Sequence, residues 1–171
     1  MKSFTTKIDK LDSPIWGFHL PIPLDVGDFF KERGIKRVVC EVNEKLKIHS
    51  AILSSNGYYY VLINKQNVKQ LGLQKDEPVF ITLQEETAKY GMPMAGEMQE
   101  VFAQEPEAQM YFDKLTPGKQ RNLIHLVNKV KNQNSRISKA LAISHHLKEV
   151  HGVLDFKMLN QTIKNYNQLN K

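Results

Sequence analysis

The chain has 171 residues, 41% hydrophobic and 25% charged, with a formal net charge of +6. That length suits one large domain or two small ones, each able to bury a modest core. No apolar run reaches the roughly 18–20 residues that cross a bilayer, so membrane insertion is not expected. The start, MKSFTTKIDK, carries no hydrophobic stretch after its lysines and does not read as a secretory signal. The lone Cys40 excludes an internal disulfide framework and fits a reducing compartment, so a cytoplasmic location is expected.

The charge is uneven. Residues 1–96 hold 13 Lys/Arg against 11 Asp/Glu, and residues 97–171 hold 11 against 7. From Lys114 onward there are 11 bases and two acids, Glu149 and Asp155. A field of that sign attracts phosphates or acidic partners, although a solvated helical surface needs no partner to explain it.

In chain order, the first half reads as strands. Phe4, Thr6 and Ile8 alternate within Ser3 to Ile8. Asp12-Ser13-Pro14 is a turn signal, and Ile15, Trp16 and Phe18 form a second apolar stretch that Pro21 and Pro23 are expected to stop. Leu24 to Lys31 reads as a short helix closed by Gly34. In IKRVVCEV, Val38, Cys40 and Val42 share one face of a strand. Asn56-Gly57 is a strong hairpin signal, so Leu46–Leu53 and Tyr58–Ile63 are expected to pair across it. A short helix with Val68 and Leu71 follows, ended by Gly72, before a strand over Val79–Leu83.

Residues 87–96 hold Pro93 and Gly91 without periodicity and read as a linker or capping loop. The period then becomes helical. Glu97 to Gln104 and Glu107 to Leu115 form a helix pair, or one helix broken near Pro106. Thr116-Pro117 opens the next, with Leu123, Ile124, Val127 and Val130 on one face. Ser135 is expected to cap another helix, whose Ile137, Ala140, Leu141, Ser144 and Leu147 line one side and which Gly152 stops. Asp155 opens a last helix with Phe156, Leu159, Ile163 and Tyr166 on a stripe.

Two resemblances arise from these residues. The step Leu71-Gly72-Leu73, with Lys75-Asp76-Glu77 turning into a strand, resembles the half-barrel of the AbrB/MazE-like swapped-hairpin proteins; Asp76-Glu77 stands where that family usually has Gly-Asp. In the second half, Pro106, Ala108, Phe112, Leu115, Thr116 and Pro117 resemble the lead-in of the YdeI/OmpD-associated family, also called bacteriocin-protection proteins. The later part of that pattern falls on Lys131, Ser135 and Arg136, with Ser in place of the commoner Thr and Lys139 where a second Arg is frequent. The first half looks like the β-barrel domain of unknown function that often precedes it. Neither resemblance brings a catalytic signature.

Candidate sites are few. Arg121, Lys129, Lys131, Ser135, Arg136 and Lys139 form the candidate anion-binding set, because a basic helix and turn beside a helix N-terminus can grip phosphates. Trp16 and Tyr59 are the groove candidates, for stacking a base or another flat ligand. HHLKEVH, with His145, His146 and His151, is no metal motif, because positions five or six apart on a helix diverge; a polar helix face is expected, with His151 at the helix dipole. Cys40 reads as core. No catalytic residue and no cofactor is expected.

The expected fold class is α+β: a small antiparallel β-barrel of the double-split type over 1–86, a linker or capping loop over 87–96, and a basic helical domain of three to four helices over 97–171. The expected function is a non-catalytic binding or stress- and bacteriocin-protection protein with an anionic partner. An AbrB-like DNA-binding regulator and a small-ligand-binding barrel are the alternatives. The oligomeric state stays open.

Overall fold

The computed structural model describes residues 1–10 and 17–169, which divide into two compact units, Met1–Thr87 and Ala88–Lys171. The first unit runs β1 (Lys2–Lys7), β2 (Asp9–Lys10), β3 (Phe18–Ile22), α1 (Leu24–Glu32), β4 (Arg37–Val42), β5 (Leu46–Ala51), β6 (Leu53–Ser55), β7 (Tyr58–Ile63), α2 (Lys65–Leu71) and β8 (Pro78–Glu85). Two antiparallel sheets result, in the orders β1-β8-β4-β5 and β2-β3-β7-β6. A single residue, buried Ile8, separates β1 from β2, and Ile52 alone separates β5 from β6. At each point one run of chain bends from one sheet into the other. The α+β class and the antiparallel pairing stand as expected, but among the described residues the ladders form two open sheets and no closed barrel.

Period-two alternation decides what each strand buries. Val38, Cys40 and Val42 are fully buried on one face of β4, as are Ile81 and Leu83 on β8 and Leu20 on β3. Burial pushes the Cys40 thiol up to about 12. On α1, Val26 and Phe30 close over this core, and Gly27 lies so near the Tyr59 ring that a Cβ there would stand 1.9 Å from Cδ2.

Three details depart from the expectation. The hairpin does turn at Asn56-Gly57, both with positive φ (49° and 81°), but only Leu53–Ser55 pairs with Tyr58–Tyr60. Residues Leu46–Ala51 pair with β4 instead, because the chain changes sheets at Ile52. Pro21 does not stop its strand: β3 continues to Ile22, with Pro21 opposite Tyr60. The two-residue turn makes Ser55–Tyr58 a hydrogen-bonded pair, so alternation turns the Tyr60 backbone toward β6 and demands no donor from Pro21. The stretch containing Ile15 and Trp16 lies outside the described residues.

α2 ends at Gly72 as expected, and its start is capped by Asn64, which the sequence reading did not single out. Asn64 Oδ1 accepts from Asn67 N–H at 2.7 Å, and Gly72 takes φ 64°, which lets Leu73 N–H return to Val68 O at 3.1 Å.

The described residues of the second unit form five helices, one or two more than expected: α3 (Gly96–Gln104), α4 (Pro106–Asp113), α5 (Pro117–Asn128), α6 (Gln133–Glu149) and α7 (Phe156–Leu169). The chain breaks fully at Glu105 (φ −122°), so α3 and α4 are separate helices. Thr116 occupies the N-cap position of α5 with Pro117 at its first turn, though without a side-chain cap bond. α6 is the central element, packed by α3, α4, α5 and α7. Its N-cap is Asn132, whose Oδ1 accepts Ser135 N–H at 3.0 Å; Ser135 lies inside the first turn and is not the cap. Asp155 does open α7, accepting Met158 N–H at 2.9 Å, and that bond holds its carboxyl below the usual range.

The segment before α3 is pinned to this unit. Asn128 Oδ1 accepts from Ala95 N–H (3.0 Å), Asn128 Nδ2 donates to Pro93 O (2.7 Å), and Tyr90 OH donates to Asp113 (2.8 Å).

Candidate functional site: the groove between α3 and α6

The core of the helical unit is built by Met98, Val101 and Phe102 of α3, Ala108 and Phe112 of α4, Leu123, Ile124 and Val127 of α5, and Leu159 and Ile163 of α7. On α6 the buried set is Ser138, Ala140, Ala142, Ile143, Ser144, His146 and Leu147. Ile137 and Leu141, expected on the core stripe, instead stay 37% and 38% exposed. The arc is turned because packing on four sides takes the small residues Ala140, Ala142 and Ser144 inward, where backbones approach closely. The longer Ile137 and Leu141, one turn apart, are left beside α3.

These two side chains and Val101 floor an open groove of about 760 Å³. Glu97, Glu100 and Glu105 rim it, and Gly96, Gln104 and Gln133 complete the lining. No lysine or arginine contributes to that lining, although the chain carries a net +6. Two rim carboxylates are matched by cations. Arg136 Nη1 lies 3.6 Å from Glu97 Oε1, and Lys148 Nζ lies 2.6 Å from Glu105 Oε2. The bond to Glu105 raises the Lys148 amine above its ordinary range. Among the described residues Glu100 receives an amide and no cation, from Gln104 Nε2 at 2.6 Å. The groove thus offers apolar contact, carboxylate acceptors and amide groups.

The residues expected to bind an anion do not converge on an open site. Arg136 Nε donates to Val130 O at 2.6 Å, and Lys139 Nζ donates to Leu126 O at 3.3 Å. Both carbonyls lie at or just past the end of α5, where a helix leaves its last carbonyls unsatisfied and its dipole is negative. The basic start of α6 therefore caps the end of α5. Burial, with Lys129 nearby, lowers the Lys139 amine from its usual range. Ser135 gives its N–H to Asn132, Arg121 is half-buried, and Lys129 and Lys131 are exposed. The structure brings Arg136 together with Glu97 rather than with Glu105, Glu107 or Asp113.

Tyr59, a groove candidate, is buried (9% exposed); its ring covers Gly27 and its OH donates to Asp28 at 2.8 Å, which raises the phenol above its ordinary range. Its neighbours Tyr58 and Tyr60 take the other face of β7 and pack with His19, at centroid distances of 5.9 and 5.2 Å. Trp16, the other candidate, falls outside the described residues.

The histidines divide in a way the polar-face reading missed. His145 is exposed, 3.9 Å from Glu149 one turn on. His146 is fully buried, its Nε2 accepting Asp155 N–H at 3.3 Å, and burial lowers its pKa. His151 takes φ 47° beside Gly152 and meets Tyr111 OH at 3.2 Å. Among the described residues no group of three or more His, Cys, Asp or Glu is placed to hold a metal.

Elsewhere, His49 Nδ1 meets the buried Glu86 carboxylate, and Arg37 reaches His49 O at 3.4 Å. Sequence reasoning passed over this cluster, because Glu86 just past β8 is 37 residues from His49 on β5 and meets it only in the fold. The groove also went unread, although its signal was present: apolar residues at 137, 140, 141, 142, 143 and 147 cover too wide an arc for one core stripe.

No curated protein matches the chain. Residues 92–149, which include every residue lining the groove, match the model of the family described as Bacteriocin-protection, YdeI or OmpD-Associated.

Proposed function

We propose that the protein is a non-catalytic binding protein of the bacteriocin-protection kind, and that it holds an amphipathic partner segment in the α3–α6 groove. The observation that carries this reading is the pair Ile137 and Leu141, left open on the most enclosed helix of the unit and rimmed by carboxylates. Grooves of this form take a helix by its apolar face, through side chains three or four residues apart. The family description supports a protective role for the segment that builds the groove.

The test is a challenge of bacteria expressing the protein with a bacteriocin. Leu141→Arg places a charge on the groove floor at an exposed position. Protection that disappears with this variant, while the circular dichroism stays native, supports the reading; equal protection by both proteins refutes it.

The anionic partner remains a second reading, favoured by exposed Lys129 and Lys131 next to half-buried Arg121. Elution from heparin with a steep salt dependence, reduced by Lys129→Ala and Lys131→Ala, would speak for it and for nucleic acid.

A further inference from the structure

We infer that Glu100 sets the charge selectivity of the groove, by receiving one lysine or arginine side chain of a helical partner whose apolar residues cover Ile137 and Leu141. The inference rests on the groove reading above. Of the three rim carboxylates, Glu97 is matched by Arg136 and Glu105 by Lys148, which leaves Glu100 between them with the Gln104 amide and, among the described residues, no cation. Glu97, Glu100 and Gln104 follow one another on one side of α3, at spacings of three and four residues. Opposite them, Gln133, Ile137 and Leu141 are spaced by four along α6, a run of about 12 Å. That run matches roughly two turns of a partner helix.

The three possible partner charges fare differently. The charged groups that an anionic segment meets along the lining are all carboxylates. An uncharged apolar segment would desolvate Glu100 without pairing it, which costs free energy. A segment with one cation beside its apolar residues satisfies both features. A lysine stem can lie along the methyl groups of Ile137 and Leu141 while its ammonium reaches the carboxylate.

The experiment uses the full chain and a labelled synthetic helical peptide of 14 residues. The peptide carries two leucines four apart and one lysine on the same face, and an analogue carries glutamine in place of that lysine. Fluorescence anisotropy is measured for the unaltered protein, Glu100→Gln and Leu141→Arg. The expected result is binding that weakens about fivefold for the glutamine peptide, the scale of an exposed ion pair. The difference vanishes in Glu100→Gln and at high salt, and Leu141→Arg abolishes binding of both peptides. A lysine preference that persists in Glu100→Gln overturns the role of Glu100 and leaves the groove reading standing. Equal binding of both peptides by the unaltered protein overturns it likewise. Failure of every peptide to bind removes the groove reading and this inference with it. A concentration-dependent dimer that Leu141→Arg dissolves assigns the groove to a second copy of the chain and overturns the proposal.

Discussion

Replacing Arg136 with alanine separates a structural from a ligand-binding role for the basic turn before α6. The side chain makes a charge-assisted hydrogen bond from Nε to Val130 O at 2.6 Å and a looser pairing with Glu97 at 3.6 Å. The guanidinium is about one third exposed (32%), so water and salt screen the ion pair, which contributes well under 1 kcal/mol. The bond to the carbonyl is the larger contribution, on the order of 1.5–3 kcal/mol for a charged donor. A destabilisation of about 2 kcal/mol is therefore expected, and for a unit of this size it lowers Tm by roughly 10 °C. Urea unfolding followed by circular dichroism at 222 nm, which is dominated by the helices, measures it. Arg136→Lys should recover part of the loss, since an ammonium can reach one carbonyl but lacks the planar fork. Glu97→Gln should cost far less than Arg136→Ala. An unchanged urea midpoint in Arg136→Ala, combined with lost affinity for a polyanion, would refute the capping argument and return this turn to an anion site.

Three other outcomes follow from the packing. Gly27→Ala drives a methyl into the Tyr59 ring and should destabilise the β unit by about 1–3 kcal/mol, whereas Gly34→Asn, at φ 68° with open space around it, should be tolerated far better; thermal melts of the two variants compare them. Cys40 should resist thiol reagents at pH 8 until the protein unfolds, because its thiol is buried and held at about 12; rapid labelling of the native protein would contradict the core placement. His146 is held neutral by burial, with its folded pKa below the unfolded 6.5 despite the raising influence of Glu149 and Asp155. The unfolded chain then binds more protons, so stability is fully present above about pH 6.5 and declines as the pH falls toward the folded pKa, by at most about 1.4 kcal/mol per pH unit. Urea midpoints between pH 7.5 and 5 should show this slope, and His146→Gln, which can still accept Asp155 N–H, should flatten it.

Local chemistry is legible along the chain. Alternation placed Val38, Cys40 and Val42 in the core, and the turn at Asn56-Gly57, the stop at Gly72 and the start of α7 at Asp155 all rest on side chains or backbone freedoms that act within a few residues. The family-like pattern between Pro106 and Lys139 was legible for the same reason, since it is a linear pattern. What each exposed-looking residue does depends on packing between distant segments. Arg136 and Lys139 look free along the chain, but the fold sets them against the carbonyls that end α5. Tyr59 and its neighbours are indistinguishable in a run of three tyrosines until α1 covers one face and Gly27 admits the ring. Leu46–Ala51 lies next to the hairpin in sequence, yet pairs with β4 because the bend at Ile52 moves it to the other sheet. The groove is the clearest case: the face of α6 that is left open depends on how closely four other helices approach it. Small residues permit that approach from distant points in the chain, so the choice between Ala140 inward and Leu141 outward is made by packing and not by periodicity.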